Sequence, residues 1–168
     1  MRYIREEIVH APAARVWELL VDVEGWPAWT KSMREIERLE TGPLAVGSRY
    51  RVTQPKGRPM VWTVTKLQPM RTFTWVATQP GLSVEAVHRI DEDGDGVRTT
   101  LELIMTGPLA WLAGRTAGSR VRSYVDMESD GLKRAAESAE PAGGQCAGVA
   151  ASGRGLGARR VPMRNTPR

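Results

Sequence analysis

The change from strand to helix falls within one stretch, residues 97–140, which reads VRTTLELIMTGPLAWLAGRTAGSRVRSYVDMESDGLKRAAESAE. Its first part alternates in steps of two, with Leu101, Leu103 and Met105 on one side, which is typical of a half-buried strand. Gly107–Pro108 ends that pattern, and no further proline occurs before Glu140. Apolar residues then recur at helical spacing. The stretch therefore predicts a strand followed by one long helix, Leu109–Glu140. The apolar face of this helix carries Ala117, Val121, Val125, Leu132 and Ala136.

The two-residue alternation extends back to Arg34. Connections rich in Gly and Pro interrupt it, and connections this short join antiparallel strands because parallel pairs need long crossovers. The predicted strands are Arg34–Leu39, Ser48–Gln54, Met60–Leu67, Thr72–Thr78, Val84–Ile90 and Val97–Thr106.

The N-terminal part adds one strand and two short helices. Tyr3–Val9 predicts the first strand, and Pro12 suits the first turn of the amphipathic helix that follows. A second short helix or turn carries Trp26 and Trp29. The order predicts an α+β domain over residues 1–140, in which a seven-stranded, curved antiparallel sheet wraps around the long C-terminal helix. The two short helices close one end.

The basic charge of the chain belongs to its last residues. The sequence has 24 Lys and Arg against 19 Asp and Glu. Residues 141–168 contain five arginines and no acid, so the remaining 140 residues carry 19 basic and 19 acidic side chains. The folded part therefore lacks the basic excess expected of a nucleic-acid-binding domain. The composition of residues 141–168, rich in Gly, Ala and Arg, predicts a disordered tail.

The cysteine count and the apolar runs predict a cytoplasmic protein. Cys146 is the only cysteine, so no disulfide or Cys-rich zinc site forms within the chain. The N-terminus begins with a strand-like MRYIREEIVH and shows no apolar signal segment. No run approaches the ~18 apolar residues of a membrane span. We predict no membrane insertion and no particular oligomeric state.

Seven local features recur at defined places along the predicted elements. They are Ala11–Leu20 (APAARVWELL), Asp22–Trp29 (DVEGWPAW), Gly47–Tyr50 (GSRY), Pro69–Trp75 (PMRTFTW), His88, Arg98–Leu101 (RTTL) and Gly131–Glu137 (GLKRAAE). In these features and in the order of its elements, the chain resembles the START-like helix-grip superfamily, also called SRPBCC or the polyketide cyclase/dehydrase and lipid-transport superfamily. The resemblance covers residues 3–140.

This resemblance implies a START-like ligand-binding domain that holds a hydrophobic small molecule, such as a lipid or a polyketide, in an internal cavity. The protein would then be a carrier or a sensor. The alternative is a polyketide cyclase or aromatase-like enzyme that uses the same cavity, and a protein-interaction domain of this fold ranks third. No catalytic motif transfers from the superfamily, and no cofactor is implied.

Aromatic and methionine side chains predict the lining of this cavity. Six Trp against one Phe is an unusual population for a core that aliphatic residues could fill. An apolar cavity with a few polar groups is how small-molecule sites are built, whereas the structural alternative is a filled core. The predicted lining residues are Trp26, Trp29, Met33, Tyr50, Met60, Trp62, Phe73, Trp75, His88, Leu103, Met105, Trp111 and Tyr124.

His88 is the predicted polar group on the inner face, where it follows Val84 and Ala86 in steps of two. It could act as a general base, but one histidine makes no catalytic set, and a hydrogen-bonded histidine of the pocket is favoured. We therefore predict no catalytic residues. With only His10 besides, we also predict no metal site.

Asp91–Gly96, followed by Glu102, matches the spacing of a calcium-binding EF-hand loop. The flanking residues alternate like strands, and an EF-hand needs a helix on each side. Asp and Gly are also the residues of a tight hairpin turn, which is the favoured interpretation.

Overall fold

The structure is a computed structural model that describes residues 1–94 and 96–138. The predicted tail, residues 141–168, lies outside the described residues, as do the last two positions of the predicted domain. The elements in chain order are β1 (Arg2–Val9), α1 (Ala13–Val21), a 3-10 helix (Val23–Ala28), β2 (Glu35–Arg38), β3 (Arg49–Thr53), β4 (Met60–Gln68), β5 (Thr72–Gln79), β6 (Leu82–Asp93), β7 (Gly96–Thr106) and α2 (Ala110–Glu137). None of the helices in these residues is long and apolar enough to span a bilayer.

The seven strands form one antiparallel sheet in the order β1-β7-β6-β5-β4-β3-β2. β2 to β7 follow one another as a meander, and β1 pairs with the last strand, from Arg2 opposite Ile104 to Val9 opposite Val97. The register of β4 on β5 shifts between Val64 and Lys66. Such an irregularity bends a strand and increases its twist, as a curved sheet requires. The predicted fold class, with two short helices after β1, is confirmed.

The two-residue alternation assigns the inner face correctly. Phe73, Trp75 and Ala77 of β5 are buried, and so are Val84 and His88 of β6. This face packs against α2, which is the only long helix within residues 1–94 and 96–138. The core therefore lies between the concave face of the sheet and α2.

The hairpin between β6 and β7 is longer than predicted, because the acidic residues Asp91 to Asp93 continue the strand. Asp91 lies opposite Arg98, whose guanidinium pairs with Asp93. Asp is disfavoured in strands, but an opposite charge on the neighbouring strand stabilises it there. Strands on both sides of the turn confirm the interpretation of this segment as a hairpin instead of an EF-hand.

Polar contacts hold α2 against β1, at the edge of the sheet. The Lys133 ammonium donates to the Glu7 carboxylate over 2.8 Å, which lowers the pKa of Glu7 and raises that of Lys133. The Tyr3 hydroxyl donates to Asp126 over 2.7 Å. These contacts fix the rotation of α2 about its axis, and therefore which of its residues face the sheet.

Gly131 lets α2 approach the segment after the 3-10 helix. A Cβ added at Gly131 would lie 2.4 Å from the carbonyl oxygen of Trp29 and 3.2 Å from the Cα of Thr30. Both of those atoms belong to the backbone, so neither moves without displacing the segment. Only glycine fits here.

We predict that Gly131→Ala lowers the free energy of unfolding by about 1–3 kcal/mol, the usual effect of overpacking, measured by urea denaturation. Gly118→Ala is the matched control on the same helix, since its Cβ would meet only the flexible end of Met1 at 3.3 Å. There the higher helix propensity of Ala leaves stability unchanged or raises it by up to about 1 kcal/mol. An equal gain in unfolding free energy from both variants would contradict the close approach of Gly131 to the Trp29 backbone.

Candidate functional site

A cleft of about 300 Å³ opens between the sheet and the N-terminal half of α2. Its walls on the sheet side are inward residues of three strands, and its wall on the helix side consists of small and β-branched residues. This volume lies at the lower end of the range for small-molecule sites. The apolar lining residues are Met60, Trp62, Leu82, Val84, Leu103, Met105, Ala113, Ala117 and Val121.

The cleft exists because α2 carries small side chains where it crosses this part of the sheet. Ala113, Ala117 and Val121 are spaced by four, so they share one helical face. Alanine projects too little to reach the opposing strands. Further along the same helix, Val125 and Leu132 are buried in the core. The interior is therefore open at one end of α2 and filled at the other.

Polar residues surround the mouth of the cleft. They are Gln54, Lys56, Arg58, Gln79, Arg120 and Tyr124. The backbone N–H of Lys56 donates to the Tyr124 hydroxyl over 3.1 Å, which ties the connection between β3 and β4 to α2. This bond spans the mouth on one side and fixes the distance between the two walls.

An aromatic core lies behind the cleft. The Trp62 ring forms part of the cleft wall, and its centroid is 5.0 Å from that of Trp75. Trp75 is in turn 5.1 Å from Trp26 and 5.3 Å from Phe73, at separations typical of aromatic pairs. These rings close the inner end of the cleft.

The Trp75 indole nitrogen has no hydrogen-bond partner among the described residues. An unpaired buried N–H costs free energy, so the ring is held in place by packing alone. Tyr50, at the edge of the same core, is fully buried, and this burial raises its pKa. Its hydroxyl accepts a hydrogen bond from Arg38 over 2.6 Å.

A buried His88–Glu128 pair lies at the far side of Trp75. His88 Nε2 is 2.7 Å from the Oε1 of Glu128, and His88 Nδ1 is 3.3 Å from the carbonyl oxygen of Phe73. Both residues are buried. Both ring nitrogens face oxygen atoms, and the tautomer of the imidazole decides which nitrogen donates. The pair therefore places an imidazole nitrogen and a carboxyl oxygen in direct hydrogen-bond contact within the core.

Glu128 is the member of this pair that the sequence analysis missed. Its signal was present, because Glu128 lies three residues after Val125 and four before Leu132, within the apolar face of α2. A carboxylate in that position is buried and needs a partner. The prediction for His88 is a hydrogen-bonded histidine of the pocket. The structure shows the hydrogen-bond contacts but places His88 in the aromatic core and not along the cleft walls.

The thirteen predicted lining residues divide into two groups and one exception. Met60, Trp62, Leu103, Met105 and Tyr124 line the cleft, and their contact with a ligand stays a prediction. The second group packs in or beside the aromatic core and not along the cleft walls. It contains Trp26, Trp29, Met33, Tyr50, Phe73, Trp75 and His88.

Trp111 is the exception, and its predicted position in the cavity is wrong. Its side chain is 69% exposed on the outer face of α2. It lies two positions before Ala113, which places it about 200° around the helix from the cleft. The prediction used the apolar character of the ring and not its helical phase.

The described residues contain no group of three or more His, Cys, Asp or Glu side chains arranged to hold a metal ion. Asp95, within the segment that matches the calcium-loop spacing, lies outside the described residues.

We predict that Glu128→Leu lowers the free energy of unfolding by about 1–3 kcal/mol, because it leaves the Nε2 of His88 buried without a partner. His88→Phe leaves the carboxylate unpaired and has a similar effect. The double variant removes both groups, so it loses less stability than the two single variants together. Urea denaturation of the two single variants and the double variant measures these losses as a double-mutant cycle. Strictly additive losses of unfolding free energy would contradict a direct bond between His88 and Glu128.

Solved structures share this fold at low sequence identity. The hypothetical protein jhp0584 from Helicobacter pylori superimposes with a TM-score of 0.71 at 17% identity, over 81% of this chain and 88% of that protein. TTHA0849 from Thermus thermophilus gives a TM-score of 0.65 at 19% identity, over 81% and 97%. These likenesses show the fold alone.

The sequence comparisons identify the family. The actinorhodin polyketide synthase bifunctional cyclase/dehydratase of Streptomyces coelicolor is 36% identical over 97 residues, which cover 54% of this chain and 30% of that relative. The chain thus matches less than a third of that protein. A family described as "Polyketide cyclase / dehydrase and lipid transport" matches residues 1–137. The chain belongs to this polyketide cyclase/dehydrase and lipid transport family.

Proposed function

We propose that the protein binds a hydrophobic small molecule, as a carrier or a sensor, in the cleft between the sheet and α2. The observation that carries the proposal is the cleft itself, a largely apolar space of about 300 Å³ between the sheet and α2. Family membership supports it, since the family description includes lipid transport. The ligand classes that fit are lipids and polyketide-like aromatics.

The chemistry of the walls favours an elongated or flat apolar body. The indole of Trp62 offers a rigid face, whereas the side chains of Met60 and Met105 adapt to different shapes. Burial of apolar surface contributes about 25 cal/mol for each Å² removed from water. Since Trp75 closes the inner end, the ligand enters from the polar mouth.

Tryptophan fluorescence titration with lipids, isoprenoids and aromatic polyketides tests the proposal. Trp62 lines the cleft, so its emission should change and saturate as the ligand binds. Trp111→Phe removes the signal of an exposed ring that lies outside the cleft. A flat response across the whole panel would contradict ligand binding.

We predict that Ala117→Leu weakens binding of every ligand found by about tenfold or more, because the larger side chain fills the cleft from the α2 side. Stability should change little, since the added atoms enter open space. Ala14→Leu on the exposed face of α1 is the matched control and should bind as the wild type does. Equal affinities for both variants would place the ligand elsewhere.

The second candidate is a cyclase or aromatase-like enzyme, and the buried His88–Glu128 pair favours it. Aldol ring closure needs a base that takes a proton from a carbon between two carbonyls, and an acid that protonates the oxygen of the carbonyl attacked. An imidazole and a carboxyl group in hydrogen-bond contact supply side chains of both kinds. Trp75 lies opposite Ala86, and therefore between the cleft residue Val84 and His88 along β6. A substrate would reach the pair only after this ring moves.

For this candidate we predict that the protein changes the product distribution of a poly-β-keto substrate, and that Glu128→Gln abolishes the change because Gln can neither take nor return the proton. Product analysis by liquid chromatography and mass spectrometry measures both. His10→Ala, at an exposed histidine away from the pair, should behave as the wild type does. A wild-type distribution identical to that in buffer would exclude the enzyme.

A further inference from the structure

The charged side chains at the mouth of the cleft all have the same sign. Lys56 and Arg58 lie on the connection between β3 and β4, and Arg120 lies on α2 across the mouth. No Asp or Glu is among the residues that line the cleft. The folded part of the chain has balanced charge overall, so this local excess of three positive charges belongs to the mouth and not to the composition.

These three cations lack acidic partners within residues 1–94 and 96–138. Some other surface arginines have one, as Arg51 has Glu37 and Arg89 has Asp91, whereas others, such as Arg34 and Arg71, have no ion pair within the same residues but do not line the cleft. No ion pair or side-chain hydrogen bond joins Lys56, Arg58 or Arg120 to a carboxylate in that part of the chain. Their positive potential is therefore not cancelled locally, and an anion brought to the mouth experiences all three charges.

The backbone positions the three cations around one opening. Gly57, between Lys56 and Arg58, has a φ of +117°, a conformation that allows the connection to turn tightly at the mouth. The bond from the Lys56 N–H to the Tyr124 hydroxyl anchors this turn to α2. That hydroxyl accepts the bond, and its own proton remains available to a further acceptor. The mouth thus offers three positive charges and one neutral donor above an apolar cleft.

We propose that the ligand of this cleft is an amphipathic anion, with an apolar body against Trp62 and one carboxylate or phosphate group at the mouth beside Lys56, Arg58 and Arg120. The inference rests on the proposed binding function and narrows its ligand class. Neutral hydrocarbons and sterol-like alcohols would leave the three charges without a counterion.

Probes with the same chain and different headgroups test the charge directly. Decanoate, decyl phosphate and decanol share a ten-carbon chain, and each is titrated below its micelle concentration. The protein carries Trp111→Phe, and the emission of the remaining tryptophans reports binding. Decanoate or decyl phosphate should bind at least about tenfold more tightly than decanol, since three exposed charges each contribute a few-fold. The tighter of the two anions identifies the headgroup.

Charge-reversal variants locate the effect. Arg58→Glu and Arg120→Glu should each weaken binding of the anionic probes by about fivefold to tenfold and leave decanol unchanged. Arg71→Glu, in the turn at the opposite end of β4, changes the net charge equally and should have no effect on any probe. Added salt should weaken binding of the two anionic probes and leave binding of decanol unchanged.

Two possible results distinguish failure of the anionic headgroup site from failure of the proposed binding function. The inferred headgroup site is wrong if decanol binds as tightly as the anions, or if Arg71→Glu weakens binding of the anions as much as Arg120→Glu does. In either case the hydrophobic cleft remains a candidate binding site. If none of the three probes binds and the wider panel also gives no response, the proposed binding function fails, and this inference fails with it.

Discussion

The docking of α2 on the concave face of the sheet is the constraint on which the rest of the structure depends. Without the helix, the inner faces of β4 and β5 would expose the rings of Trp62, Phe73 and Trp75 to water. The C-terminal half of the helix is held by the close approach of Gly131 to Trp29 and by the contacts of Lys133 and Asp126 with β1. Its rotation is therefore fixed, and this rotation decides which residues face the sheet.

The same docking divides the interior into a filled part and an open part. Where α2 presents Val125, Glu128 and Leu132, the space is occupied by the rings of Trp26, Phe73 and Trp75. Where it presents alanines, a cleft remains. The distribution of small and large residues along one helical face thus positions the candidate site, and it does so without any irregularity in the helix.

The fold could be predicted because it depends on periodicity, which is local. Alternation in steps of two gave the strands and their inner faces, and β5 illustrates this with Phe73, Trp75 and Ala77 all buried. The site was harder, because periodicity shows that a side chain points inward but not whether another side chain or an empty space lies opposite. Trp62 and Trp75 have the same pattern in the sequence, yet one lines the cleft and the other closes it. That difference depends on where α2 crosses the sheet. The pairing of His88 with Glu128 joins residues 40 apart in the chain and likewise appears only in three dimensions.

The packing of Trp75 behind Trp62 gives the cleft a fixed depth. A ligand that enters along the sheet stops at this ring, so the remaining part of a longer ligand must extend out through the mouth of the cleft. Homologous series of compounds should then gain affinity with each added carbon until the stop is reached, and little afterwards. The indole of Trp75 would therefore set the longest apolar chain that the cleft can enclose.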